Sequence, residues 1–479
     1  MRRAGIATAL LLSALSARVW AQQPPAAAPA EAPHPVEPVQ PLAPPGPPEA
    51  AAPTEIPKLT EAAGPPAAQA AVPATASTAA TAPQGSWLTS HYDKGFVLVS
   101  SPEEGGMPFR LVLNHVSQFK YTNSMATDPT YVDHNGVVHD VQQRNDIQLA
   151  RDVFYFSGHA FHPRLDYNIL IFTSSATLVA TAAGYAGFTF SRGFALRAGY
   201  FSLPSTRSMT GNYPFFHGTD RSMSTNYFRP GFTQGIWGEG EPLDGFHYLA
   251  MLGNSLNTLD IKSANIDNRY AASATVWYDH NDFGKPWNDY EHHTSPAVRV
   301  GSAFTFARED RLSDLAEAGP ENNATFISDG LFLFQTGALG LSPTTTISLA
   351  NFYLWAIDGG IKYKGLAFNV EFYLRWLNNF NADGPLQMNS MFDWGFDASL
   401  GYFVHPKLEV FVRSGLIDGP FATAVEEAVG ASWYPFNTRQ VWLNAEAVAI
   451  KNCPYGGGYY MYSVGQTGFV VPGQFMLRF

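Results

Sequence analysis

The chain has a single cysteine, Cys453, in 479 residues, and only 14% of its residues are charged, where average soluble domains carry about 25%. One cysteine excludes an internal disulfide framework. After the first twenty residues no stretch reaches the roughly 18 consecutive apolar residues that a membrane helix needs. No helical period persists over ten or more residues beyond residue 85. Neither a phosphate-binding glycine loop nor a basic stripe for nucleic acid is present, so no nucleic-acid partner is expected. What the chain does have is aromatic residues, at 14%, and glycine, at 42 residues. Low charge and many aromatics without a membrane helix are hard to reconcile with a water-soluble domain. They suit a barrel whose strands turn one face to lipid and whose aromatics form girdles at the two interfaces.

The organisation reads in three parts. Arg2 and Arg3 precede an apolar run, and Val19-Trp20-Ala21 approximates a small-x-small cleavage site, so residues 1–21 read as a secretory signal peptide. Residues 22–85 are almost entirely Ala, Pro, Thr, Gln and Glu and are expected to be a disordered linker, because they have little apolar bulk to bury. Residues 86–479 are expected to form one all-β domain.

Within it, segments of about ten residues alternate apolar and polar side chains between Gly, Pro, Asn or Asp punctuation. Examples are 109–121, 147–158, 165–172, 194–203, 270–278, 298–306, 349–355, 369–377, 408–414 and 441–448. Val370, Phe372, Leu374 and Trp376 are expected to face lipid, with Glu371, Tyr373 and Arg375 facing the lumen. Leu408, Val410 and Val412 likewise face out, and Glu409, Phe411 and Arg413 face in. Phe161-His-Pro-Arg-Leu-Asp166 and Val404-His-Pro-Lys-Leu-Glu409 are near copies of one tight turn, and 434–439 is another short one. Long polar loops are expected at 122–146, 204–231, 279–296 and 378–392. The prediction is a transmembrane antiparallel β-barrel of about 16 strands, with short periplasmic turns, long extracellular loops and an aqueous channel.

The last residues, Gln466-Thr-Gly-Phe-Val-Val-Pro-Gly-Gln-Phe-Met-Leu-Arg-Phe479, put Val471, Phe475, Leu477 and Phe479 on one face and Gln474, Met476 and Arg478 on the other. This resembles the C-terminal signal by which bacterial outer-membrane barrels are recognised for insertion, with Phe475, Leu477 and Phe479 as its apolar positions. A second resemblance lies in the middle of the chain. Phe194-Ala-Leu-Arg-Ala-Gly-Tyr-Phe201 precedes a long loop holding Asp220-Arg-Ser222, and Gln234-Gly-Ile-Trp-Gly-Glu-Gly240 follows. Met251-Leu-Gly-Asn-Ser-Leu-Asn257 and Glu427-Ala-Val-Gly-Ala-Ser-Trp-Tyr-Pro-Phe-Asn437 continue the pattern. Together these pieces are similar to the phosphate-selective porin O and P family.

That resemblance implies a sixteen-stranded homotrimeric porin of the bacterial outer membrane, in contact with lipid and lipopolysaccharide and passing small solutes or ions. It implies that residues 204–232 fold into the lumen and set its narrowest point. Arg207, Arg221 and Arg229, with Arg197 on the strand below, become candidates for pore-lining cations, because guanidinium groups in a low-dielectric wall attract anions. Arg375 and Arg413 join them from their lumenal positions. A salt bridge pinning the loop to the wall is the alternative role for each. Removing Arg2, Arg3, Arg18 and Lys58 from the 29 basic residues, and Glu31, Glu37, Glu49, Glu55 and Glu61 from the 40 acidic ones, leaves 25 and 35 in residues 86–479. This acidic balance favours a broad or weakly selective pore. No enzymatic activity, cofactor or metal is expected: the histidines lie mainly in loops and turns without a Ser/His signature, and Glu291-His-His293 reads as a solvated loop. A plugged structural or adhesive barrel without channel activity is the competing reading.

Overall fold

The computed structural model describes residues 91–101, 107–175, 179–211, 213–258, 266, 268–311, 324–457 and 460–479. The expected signal peptide and linker lie outside the described residues. Alternating side chains of the kind just described favour strands, and among the described residues sixteen of them close into one antiparallel barrel. In chain order they are β2 (Phe109–Thr127), β5 (Asn145–Ala160), β6 (Leu165–Ser174), β7 (Val179–Ser191), β8 (Phe194–Ser202), β9 (Phe232–Leu243), β10 (Phe246–Asn254), β11 (Tyr270–His280), β12 (Ala297–Asp310), β13 (Ile347–Tyr363), β14 (Leu366–Ala382), β15 (Ser390–His405), β16 (Leu408–Asp418), β17 (Thr423–Trp433), β18 (Val441–Lys451) and β19 (Gly468–Arg478). A short β1 (Phe96–Ser100) pairs with the start of β2, and β3 (Thr130–Val132) with β4 (Val138–Asp140) makes a hairpin in the loop after β2.

The predicted faces are the observed ones. On β14 Phe372 is 44% exposed on the outside, while Glu371, Tyr373 and Arg375 are buried inside. On β19 Val471 and Phe475 face out and Gln474 and Met476 face in. The barrel closes where β19 pairs with β2. There the His115 and Phe479 backbones exchange two 3.0 Å hydrogen bonds, and inside the wall Gln118 Nε2 donates to Gln474 Oε1 at 2.7 Å. The Phe479 ring sits 5.0 Å from Phe96 and 5.1 Å from His115, so the last residue plugs the notch where β1 replaces β19 beside β2.

The two near-copy turns share one device. His162 Nδ1 accepts from the Arg164 amide at 3.0 Å, and His405 Nδ1 accepts from the Lys407 amide at 3.2 Å. Each imidazole replaces a missing backbone partner, leaving only two to four residues between strands. Three loop expectations are corrected. Residues 122–127 continue β2, so the first long loop begins at residue 128. Residues 281–296 join β11 to β12 at the short-turn end, not the long-loop end, because an odd number of barrel crossings separates them from residues 203–231. Residues 378–382 continue β14, so that connection shrinks to 383–389.

Candidate pore constriction

The loop between β8 and β9, residues 203–231, lies inside the barrel, with most of its side chains buried. Its chain bends through a short helix, α1 (Met223–Phe228), whose N-cap Ser222 side chain accepts from the Thr225 amide. A loop folded into a low-dielectric lumen must find partners for its amides. The inner wall of β14–β18 supplies them as carboxylates. Glu371 accepts from the Arg207 amide at 2.7 Å, and Glu426 accepts from the Met223 amide. Glu446 accepts from both the amide and hydroxyl of Thr219, at 2.8 and 2.7 Å. His217 bridges Ser399 at 2.9 Å and Glu409 at 3.1 Å. Much of the chain's acidic excess is therefore used behind the loop rather than along open space.

On its other flank the loop presents Asp220 to Lys120 of β2 (2.7 Å) and Arg151 of β5 (2.8 Å). Burial opposes ionisation of this carboxyl, but Arg151 and Lys120 outweigh it and hold Asp220 well below the usual carboxylate range. Residues 281–296 reach up from the short-turn end and clamp the loop: the Trp287 amide donates to Phe215 O at 3.0 Å, and Lys362 Nζ and Asn369 Nδ2 donate to Phe283 O (2.6 Å) and Trp287 O (2.8 Å). From the long-loop end, segments 324–346, 452–457 and 460–467 also turn inward. Arg229 donates to the Tyr460 hydroxyl at 3.0 Å, and Asn226 to the Tyr455 hydroxyl at 2.9 Å.

These insertions fill the side of the lumen next to β13–β18. Beside β5–β8 a cavity of about 270 Å³ remains between the loop and the wall. Arg151, Tyr155, Asn168, Phe172, Tyr185 and Phe201 line it from the wall; Ser208, Met209, Tyr213 and Arg221 line it from the loop.

Of the six arginines named from the sequence, Arg221 lines this space, its guanidinium 5.0 Å from the Phe216 ring. Arg197, on the inner face of β8, is ion-paired to Asp166 at 2.6 Å and Glu239 at 2.5 Å. The other four do not line this cavity: Arg207 and Arg229 are buried within the inward loop, and Arg375 and Arg413 are buried against the inner wall. Arg207 is stacked on Phe283 and Trp287, at 5.1 and 4.8 Å, and burial together with the nearby Arg299 pushes its pKa down to about 10. Arg229 is held by Asn226 and Tyr460. Arg375 donates to Ala324 O (2.8 Å), Phe326 O (2.9 Å), the Tyr227 hydroxyl and Asp393. Arg413 lies between Glu426 (2.9 Å) and Glu446 (2.8 Å). The cavity's second cation, Arg151, was not named from the sequence, although alternation along β5 places it on one face with Val153 and Tyr155.

Two further clusters deserve a chemical reading. On the outer wall Ser117 and His115 of β2 meet Asp152 of β5: His115 Nε2 is 2.7 Å from Asp152 Oδ1 and 3.0 Å from Ser117 Oγ, and Ser117 also donates to Asp152. A nucleophile relay needs the carboxylate on one imidazole nitrogen and the hydroxyl on the other. Here both crowd Nε2, and Nδ1 is buried without a hydrogen-bond partner, so the cluster is no relay. In the 281–296 segment the ligand atoms of Asp289, Glu291 and His293 lie within 4.8 Å of one another. Asp289 is already bonded to His293 and to the Gly365 amide, and Glu291 to Arg439, which fixes the segment to its neighbours.

No family model matches this chain, and no curated protein matches it in sequence. Among solved structures, it is similar to outer-membrane expressed OmpT of Vibrio cholerae, at 11% identity over 80% of this chain and 100% of that one, with a TM-score of 0.50. An anion-selective porin from Comamonas acidovorans aligns at 11% identity over 78% of this chain and 100% of that one, with a TM-score of 0.47. OprB of Pseudomonas putida, in its high-pH structure, aligns at 9% identity over 78% and 94%, with a TM-score of 0.44. At such identities the likeness bears on the fold alone, an outer-membrane-type β-barrel, and the sixteen strands are read from this chain itself.

Proposed function

We propose that the protein is a bacterial outer-membrane porin, an aqueous channel for passive diffusion of small hydrophilic solutes, anions such as phosphate among them, with no enzymatic step. The observation that carries this reading is the space between the inward loop and the β5–β8 wall, lined by Arg151 and Arg221, inside a barrel whose outer face is apolar. The resemblance of most of residues 107–479 to phosphate-selective porins agrees with it. The plugged-barrel reading draws on the packing of segments 281–296, 324–346, 452–457 and 460–467 into the rest of the lumen. Liposome swelling separates the two. A porin of this constriction admits a pentose and excludes a tetrasaccharide; a plugged barrel, shown to be folded by its heat-shifted gel mobility, admits neither.

A homotrimer completes the proposal. The outward Ser117–His115–Asp152 cluster beside the closing seam, and the outward pair Ser414–Glu427 (2.9 Å) on β16 and β17, are costly against lipid and suit contact with another polypeptide. Asp152→Leu is therefore informative: facing lipid it would leave the assembly unchanged or stabilise it. In a subunit contact it strands His115 and Ser117, and the trimer band on a semi-native gel is expected to dissociate at lower temperature while the monomer barrel stays folded. A monomeric parent protein would refute the trimer.

A further inference from the structure

We infer that the cavity beside the β5–β8 wall is a binding site for small organic anions carrying an aromatic ring, such as monocyclic carboxylates, rather than for inorganic anions. The inference rests on the channel reading and narrows its solute class. Two features of the lining point the same way. Its charge is of one sign: Arg151 and Arg221 line it, and no Asp or Glu is among its described lining residues. Asp220, beside it, is matched by Lys120 as well as Arg151, so the surroundings keep a net positive charge with Arg221 added. A planar guanidinium pairs with a carboxylate through two parallel hydrogen bonds, and between low-dielectric walls that pairing is stronger than in bulk water.

The rest of the lining lets a small hydrated ion pass but holds it less well than a ring. Phosphate, to leave its hydration shell, needs a ring of donors. Here Tyr155, Phe172, Tyr185 and Tyr213 surround the space, and Val153, Leu170 and Met209 fill between them. Such rings offer faces and edges for offset or edge-on packing of another ring. The volume of about 270 Å³ has room for a single ring with its carboxylate. Arg221 is placed for the charged end because it reaches the cavity from the loop, with its guanidinium 5.0 Å from the Phe216 ring. Arg151 is the steadier partner, already tied to Gln118 at 2.7 Å and Asp220.

The test uses the full-length mature protein in planar bilayers, with potassium chloride as carrier and benzoate, acetate, phosphate and benzyl alcohol added in turn. The expected result is that benzoate reduces the chloride current at a concentration at least tenfold below the other three. Arg221→Gln should raise the half-blocking concentration of benzoate about tenfold while channels still open. Tyr155→Leu, which keeps every charge, should weaken benzoate block and leave acetate block unchanged. Equal block by benzoate and acetate, or stronger block by phosphate, in barrels that conduct would overturn the aromatic-anion site and leave the porin reading standing. Folded barrels that never conduct would overturn both.

Discussion

Replacing residues 205–229 by a short Gly/Ser linker is expected to raise single-channel conductance on the order of threefold and to abolish any preference for anions over cations. The inward loop occupies the middle of a sixteen-stranded lumen and narrows it to the space beside β5–β8. Its removal also takes away the anchors of its neighbours, since Asn226 holds Tyr455 and Arg229 holds Tyr460. The selectivity change follows from charge. Once the loop is gone, Glu371, Glu409, Glu426 and Glu446 lose the amides, hydroxyl and imidazole that now cover them and face water. Conductance that stays at the parent value, in a barrel with unaltered heat-shifted mobility, would show that ions take a path the loop does not border.

Arg375→Ala is expected to have the largest effect on stability of any single substitution in the lumen. The guanidinium is fully buried and joins four partners: Asp393, the Tyr227 hydroxyl, and the carbonyls of Ala324 and Phe326. Removing it leaves a buried carboxylate and two buried carbonyls without these donors, a loss of about 3–5 kcal/mol. Because Arg375 ties segment 324–346 to β14, the first visible consequence is local. Limited proteolysis should cut the variant between residues 324 and 346 at protease concentrations that leave the parent intact. Replacing Arg375 and Asp393 together by Met and Leu should recover most of the lost thermal stability, since the uncompensated charge disappears with its partner. A single variant as protease-resistant as the parent would mean that the inserted segment is held by its apolar contacts instead.

The barrel was legible in the sequence because its rule is local. Period-two alternation in residues 369–377 or 408–414 is imposed by lipid on one side and water or protein on the other, and each strand displays it unaided. The near-copy turns at His162 and His405 were legible for the same reason. β7 was harder to read, since Val179-Ala-Thr-Ala-Ala-Gly-Tyr-Ala-Gly187 alternates small residues with small ones and carries little contrast. The lumen was far less legible. Alternation says that Arg375 and Arg413 point inward but not whether they meet solvent or an inserted segment, and that depends on partners 18 to 148 residues away for Arg375 and 13 and 33 for Arg413. Segment 281–296 was misassigned because polarity was taken as a sign of the outer end, whereas its Phe283 and Trp287 are what enter the barrel. Arg151 was overlooked because nothing in its own segment shows that Asp220, 69 residues on, returns beside it.

The central claim, that solutes pass between the inward loop and the β5–β8 wall, is tested most directly by thiol accessibility during conduction. The chain's one cysteine, Cys453, is buried with its Sγ 3.2 Å from Tyr455 O, so the parent offers a silent background. Asn168→Cys places a thiol on the cavity side of the wall, and Ser399→Cys places one behind the loop, under His217. Adding a charged, water-soluble methanethiosulfonate to open channels should cut the current through Asn168→Cys within minutes and leave Ser399→Cys unaffected. Block of Ser399→Cys with Asn168→Cys untouched, or folded barrels with no current to block, would contradict the account.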